Sequence, residues 1–272
     1  MTALGSTTQI SREAAQRSPI DPVALTRIYR RLQQCNQIAR RQSTHSGDGI
    51  KSASYGPAAI ACTVDLAAAD TIACERWSAE VSTAAGGDGR NSSQPGPAGK
   101  NGNPPDLAAF LRMACGLASA AKPQDRVLAA LFSRPLDVRS QLVLRASAWE
   151  KLPAVFIATS GMAGATLSDG AAAYESFGFP RIPVDCNDVL ALYRVGHEAV
   201  DRARIGYGPT LIDCVRYELE VGGNVLAKFE AHMMRMKLLL PGESSQAARR
   251  VRSEQPTRRA ASEPGVQLFI PS

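Results

Sequence analysis

From residue 106 to residue 240 the chain alternates between short unbroken apolar runs and longer stretches with helical periodicity. The runs RVLAALF (126–132), LPAVFIATS (152–160), RIPVD (181–185) and PTLIDCVRYEL (209–219) are too short for helices. Strands that show almost no polar alternation are buried on both faces, the mark of a parallel sheet. Between them, DLAAFLRMACGLASAAK (106–122) and LDVRSQLVLRASAWEK (136–151) read as helices, with Asp106 capping the first. SDGAAAYESFG reads as a short helix closed by Gly178, and NVLAKFEAHMMRMKLLL (224–240) as a final one. The long helix after RIPVD is capped by Asn187 or Asp188. Its Val189, Leu192, Tyr193, Gly196, Ala199, Val200 and Ala203 share one face. Strands alternating with helices predict an α/β fold, a parallel sheet flanked by helices.

Earlier in the chain the signals are more scattered. Asp21-Pro22 opens a helix, an N-cap followed by proline at the first helical position. Leu25, Ile28, Leu32, Cys35 and Ile38 form its apolar face, and a second helical pattern runs from Pro57 to about Ala68. Residues 1–21 read as a flexible polar arm, 22–240 as the α/β domain and 241–272 as a basic flexible tail. The segment 82–105 has six glycines and four prolines in 24 residues and no apolar periodicity. It reads as a flexible loop, since nothing in it offsets the entropy of ordering.

Charge and cysteine content narrow the function classes. The net charge of +6 is a first pointer to an acidic partner, but its distribution weakens that pointer. Residues 1–45 hold seven arginines against Glu13 and Asp21, and 241–272 hold five arginines against three glutamates. The remaining 19 basic and 20 acidic residues lie between and nearly cancel. A nucleic-acid-binding protein acting through basic termini is one alternative, but no recognition module or aromatic stacking motif accompanies the charge, and nucleic acid is not expected as a partner. The six cysteines form no CxxC or zinc-like spacing and read as structural thiols of a reducing compartment. No secretory leader and no run of about 20 apolar residues is visible. A cytoplasmic protein without membrane partners is expected.

The stretch AAYESFGFPRIPVDCNDVLALYRVGHEAVDRARIGYGPTLIDCVRYEL (172–219) carries a more specific pattern. Its elements are Phe177-Gly178, Val184-Asp185-Cys186-Asn187-Asp188, Glu198-Ala199-Val200, Arg202-Ala203-Arg204 and Gly208-Pro209-Thr210-Leu211-Ile212-Asp213. In this order they resemble the alpha subunit of thiamine-diphosphate-dependent 2-oxo acid dehydrogenases of the pyruvate and branched-chain type. KLPAVFI, MACGLASAAKPQDRVLAALF, LTRIYRRL and NVLAKFEAHMMRMKLL extend the resemblance over about 22–240, with the middle shortened. It implies a thiamine-diphosphate-binding, transketolase-like fold. It also implies thiamine diphosphate and Mg²⁺ as cofactors if the activity is retained, and a beta-type subunit or self-association as partner.

Carried over by position, the family's metal-binding chemistry is missing. Its Gly-Asp-Gly falls on Ser133-Arg134-Pro135 and its Asn-Asn on Ser160-Gly161; no Asn-Asn pair occurs in the chain. Arg134 places a cation where Mg²⁺ needs a carboxylate oxygen. The literal triplets Gly47-Asp48-Gly49 and Gly87-Asp88-Gly89 follow no strand-like run and read as turns. The family's Gly-Gln-Glu-Ala reads Gly56-Pro57-Ala58-Ala59, and its Tyr-Arg-x-His reads Glu75-Arg76-Trp77-Ser78, keeping only Arg76 as a cofactor-binding candidate. The family's histidine-bearing loop shrinks to Val221-Gly222-Gly223. His45, His197 and His232 read as loop or packed histidines. The resemblance therefore implies a catalytically impaired relative, a pseudoenzyme with no catalytic or metal residues assigned, no cofactor expected, and association as its role. An active oxidative decarboxylase component with relocated ligands is the alternative.

Overall fold

The computed structural model describes residues 21–43, 56–75, 91–93, 106–162, 177–216 and 225–239. Six α-helices and six strands are found among them: α1 (Pro22–Ser43), α2 (Gly56–Thr63), β1 (Thr71–Cys74), β2 (Asn91–Ser93), α3 (Leu107–Ala121), β3 (Leu128–Phe132), α4 (Val138–Trp149), β4 (Ala154–Met162), β5 (Arg181–Asp185), α5 (Val189–Arg204), β6 (Thr210–Arg216) and α6 (Val225–Arg235). The strands form one sheet in the order β2-β1-β3-β4-β6-β5, and every neighbouring pair is parallel. The α/β expectation is met: a parallel sheet flanked by helices.

The alternation of side chains along each strand sorts the core into two layers. Ile72, Ala129, Leu131, Val155, Ile157, Ile212 and Cys214 face α1, α2, α5 and α6. Leu128, Ala130, Phe132, Ala154, Phe156 and Leu211 face α3 and α4. Both faces are thus covered, as parallel strands require. α2 is buried along almost its whole length, because it is wedged between the sheet and the outer helices.

Helix ends follow local chemistry. Asp21 accepts from the backbone N–H of Val23 and Ala24, Asp106 from Ala108, and Asp137 from Ser140. Asp188, not Asn187, caps α5, its carboxylate accepting from Leu190 and Ala191 at 3.0 Å. The seven-residue apolar face expected for this helix is the face that is buried. Its C-terminus closes with Gly206 at φ +82, Tyr207 N–H donating to Arg202 C=O and Gly206 N–H to Ala203 C=O. This pairing satisfies carbonyls the helix leaves open, and a glycine suits the left-handed position because residues with a Cβ rarely adopt a φ of +82.

Several expectations are revised. β1 was not expected: TIAC is only four residues long and leads directly into Glu75, so it gives too short an apolar signal. α2 starts at Gly56 and stops at Thr63 rather than running to Ala68, since Leu66 and Asp70 make turn bonds to Thr63 and Ala67. β4 continues two residues past Ser160, with a register irregularity between Ala158 and Gly161. Strand β2 falls inside the Gly/Pro-rich segment 82–105 and pairs with β1 from Thr71↔Asn91 to Ala73↔Ser93. Three polar residues suffice because an edge strand needs ladder partners more than an apolar side. The short helix expected before Gly178 lies outside the described residues, although Gly178 itself has φ +78.

α2 and α5 cross with their backbones in close approach. A Cβ on Gly196 would lie 2.5 Å from Cys62 Cα and 3.1 Å from its carbonyl oxygen. Contacts with backbone cannot be relieved by a rotamer change, so the helices themselves would have to separate. Gly196→Ala is expected to destabilise the chain by about 2 kcal/mol, read as a lower urea midpoint with an unchanged slope.

Candidate functional site

In an open parallel sheet, ligands bind outside the carboxyl ends of the strands where the strand order reverses. That place here is between β1 and β3, because β2 lies on one side of β1 and β3 on the other. β1 ends at Cys74 and β3 at Phe132, so the first residues beyond them are Glu75 and Ser133-Arg134. The side chain of Glu75 is fully buried. One of its oxygens accepts from the Ser133 backbone N–H at 3.0 Å, and the other receives Arg134 Nε in a very close ion pair. Glu75 N–H in turn donates to Leu131 C=O at 2.9 Å. A buried carboxylate is costly unless paired and hydrogen-bonded, and here both requirements are met.

Among the expected site residues, Arg134 stands at the carboxyl edge as anticipated but is tied to Glu75. Ser160 and Gly161 lie within β4, Gly161 opposite Val215 of β6. Arg76, both Gly-Asp-Gly triplets, His45 and Val221-Gly222-Gly223 lie outside the described residues. Gly56-Pro57-Ala58-Ala59 forms the buried start of α2. His197 bonds Asp65 through Nδ1 at 2.7 Å, with Nε2 3.4 Å from Asp201. It joins α5 to the turn after α2. His232 lines a cleft between α5 and α6. The partner that the sequence reading missed is Glu75. In the sequence it is only the residue before Arg76, and nothing local links it to Arg134, 59 residues on.

Two other polar anchors fix the opposite end of the sheet and its far edge. Asp70, buried before β1, accepts from Val127 N–H at 2.8 Å, Ala67 N–H at 2.7 Å and Arg204 at 2.8 Å. It joins the amino ends of β1 and β3 to the last turn of α5. Arg181 of β5 pairs with Asp213 of β6. The thiols behave as packing groups. Burial pushes Cys62 well up, with Cys186 adding to it. A hydrogen bond with Cys186 that favours the protonated thiol, then burial, does the same to Cys214. Cys115 is pushed up to about 12, first by burial and then by Glu150. Protonated thiols are poor nucleophiles and poor ligands.

With this geometry described, the relatives can be placed on it. The dehydrogenase E1 component model matches residues 155–220, from β4 through α5 to the end of β6. These residues are similar to the dehydrogenase E1 component family. Within the matched part lie the Asp188 cap, the buried face of α5 and the Gly206 turn. The E1 component match begins after Glu75 and Arg134, which lie outside it.

The chain is 41% identical over 83 residues to the alpha subunit of acetoin:2,6-dichlorophenolindophenol oxidoreductase of Bacillus subtilis, covering 26% of this chain and 24% of that protein. It is 60% identical over 43 residues to the alpha subunit of 3-methyl-2-oxobutanoate dehydrogenase of Mycobacterium tuberculosis, covering 16% and 12%. With the pyruvate dehydrogenase E1 component subunit alpha of Acholeplasma laidlawii the identity is 54% over 44 residues, covering 16% and 13%. The matches thus span about a quarter or less of the length of these relatives. Benzoylformate decarboxylase from Polynucleobacter necessarius superimposes with a TM-score of 0.43 at 12% identity, over 60% of this chain and 33% of that one.

The Glu75–Arg134 pair makes a direct test possible. Arg134→Met leaves a buried carboxylate with only one donor and is expected to cost about 2 kcal/mol, less than for a fully buried pair because Arg134 is partly exposed. Adding Glu75→Gln is expected to restore most of that loss in chemical denaturation. Strictly additive losses would mean that the two side chains do not act on each other.

Proposed function

We propose that this chain is an alpha-subunit-like relative of the thiamine-diphosphate-dependent 2-oxo acid dehydrogenases that is catalytically impaired and acts by associating with a beta-type subunit. The observation that carries the reading is the Glu75–Arg134 pair at the switch point. A divalent cation there would meet a guanidinium, and the nearest carboxylate already has both oxygens engaged. Mg²⁺ requires nearly octahedral oxygen ligation, and a fixed neighbouring cation opposes it directly. These residues do not suit an Mg²⁺–diphosphate group, so no step of decarboxylation is assigned to them.

Association has support of its own in α4. This helix buries Ser140, Leu144 and Ser147 and turns Val138, Leu142 and Trp149 outward, at 73%, 57% and 90% exposure. Those three fall at i, i+4 and i+11, one stripe along the outer face. An apolar stripe of this kind marks a contact surface more often than a lone exposed residue does. No helix among the described residues is long and apolar enough to cross a membrane, so a bilayer-spanning role is not assigned to this helix.

Thiamine diphosphate with Mg²⁺ is expected to leave the melting temperature of the full chain unchanged. A rise of several degrees would sink the impaired reading in favour of relocated ligands. Co-expressed with an intact beta-type subunit, the chain is expected to co-elute on size exclusion. Leu142→Glu with Trp149→Glu is expected to abolish that co-elution without altering the circular dichroism melt. A homodimer that ignores the beta-type subunit would replace hetero-association by self-association.

A further inference from the structure

A cleft of about 840 Å³ opens between α5 and α6, at the far edge of the sheet from the Glu75–Arg134 pair. Three strand spacings separate β3 from β5, roughly 15 Å. The two regions are distinct, and the cleft is independent of the Glu75–Arg134 pair.

One wall is the face of α6 that carries Lys228, Ala231, His232 and Arg235, spaced i, i+3, i+4 and i+7. The other is the first turn of α5 together with Arg194. Val189 and Phe229 are buried at its base. The remaining α6 acid, Glu230, points elsewhere and accepts from the Tyr29 hydroxyl of α1 at 2.9 Å.

The charges in the cleft are not self-cancelling. Asp185 and Asp188 stand at one end, two carboxylates against three cations, and one oxygen of each accepts backbone N–H groups: Asp185 from Asn187 at 2.8 Å, Asp188 from Leu190 and Ala191. Arg194, Lys228 and Arg235 make no ion pair among the described residues. Arg235 Nη2 lies 3.3 Å from His232 Nδ1. Partial burial, then Arg235 and Arg194, hold His232 below its ordinary value, while Asp188 across the cleft pulls it upward. Cations thus converge on one imidazole from both helices, and the two aspartates at one end leave them in excess.

We propose that the α5–α6 cleft binds a small phosphorylated anion, with Arg194 on one wall and Lys228 and Arg235 on the other, and His232 as a further hydrogen-bond donor. A phosphate group has several acceptor oxygens and takes guanidinium and ammonium donors from opposite sides at once. The cleft volume falls in the range of small-molecule sites, about 300–1,000 Å³.

The test uses the full chain with inorganic phosphate, pyrophosphate and glycerol 3-phosphate as separate probes, followed by calorimetry and by the imidazole signals of His232 in NMR. Saturable binding of at least one probe is expected, together with an upward move of the His232 titration midpoint, because a bound anion stabilises the imidazolium. If only the ester binds, the site takes an organic phosphate; if inorganic phosphate binds equally well, it takes the free ion. Lys228→Gln and Arg235→Gln are each expected to weaken binding by about tenfold, the effect of losing one charged hydrogen bond. Arg194→Gln, on the other helix, should do the same and keeps the test valid if an α6 variant misfolds. An unmoved His232 midpoint with every probe would overturn the proposal. So would affinity unchanged in all three variants, which would move the binding to the arginines of residues 241–272.

Discussion

A parallel sheet leaves neither face to water, and its central strands show how far this requirement reaches. β3 and the matching part of β4 are almost wholly inaccessible, and every apolar side chain on them meets a helix on one side or the other. The remaining architecture answers that demand. α2 has to be small and apolar all round because it lies directly on the sheet beneath α1 and α5. α5 in turn has to approach α2 closely, and Gly196 is the residue that lets two backbones come together. Asp70 then fixes the layers from the amino end, holding β1, β3 and α5 through one buried carboxylate.

The same sheet order that creates a crevice at β1 and β3 also decides what fills it. Because these strands are neighbours, the residues just beyond their ends are forced together, and here they are a glutamate and an arginine. An ion pair at that position is a stable solution, since the guanidinium supplies a charge that balances the buried carboxylate. Caps, glycine turns and the α5 face serve the sheet, and the Glu75–Arg134 pair ties the ends of two neighbouring strands together.

Much of the fold was legible along the chain. The four apolar runs, the aspartate caps and the seven buried positions of α5 all follow from signals within a few residues of one another. β1 and β2 were not legible. TIAC is too short to stand out from the helical turn before it, and NSS has no apolar pattern, so both become strands only through the ladder that a neighbour offers. The candidate site divides in the same way. Arg134 was identifiable from its place after an apolar run, whereas Glu75 gained meaning only from its contact with Arg134. On α6, the i, i+4, i+7 spacing of Lys228, His232 and Arg235 is visible in the sequence, but not the facing Arg194.

The sequence by itself therefore determined the alternation of strands and helices, where most of the helices begin, which face of α5 turns inward, and the neutrality of the body between two basic ends. These properties depend on periodicity and capping, which act over one or two turns of backbone. Only the tertiary structure decided that Glu75 closes on Arg134, that α4 turns its apolar stripe outward, and that the cations of α5 and α6 share one cleft. Each of those depends on strand order and helix docking. That bookkeeping joins residues far apart in the chain, and no local pattern of side chains encodes it.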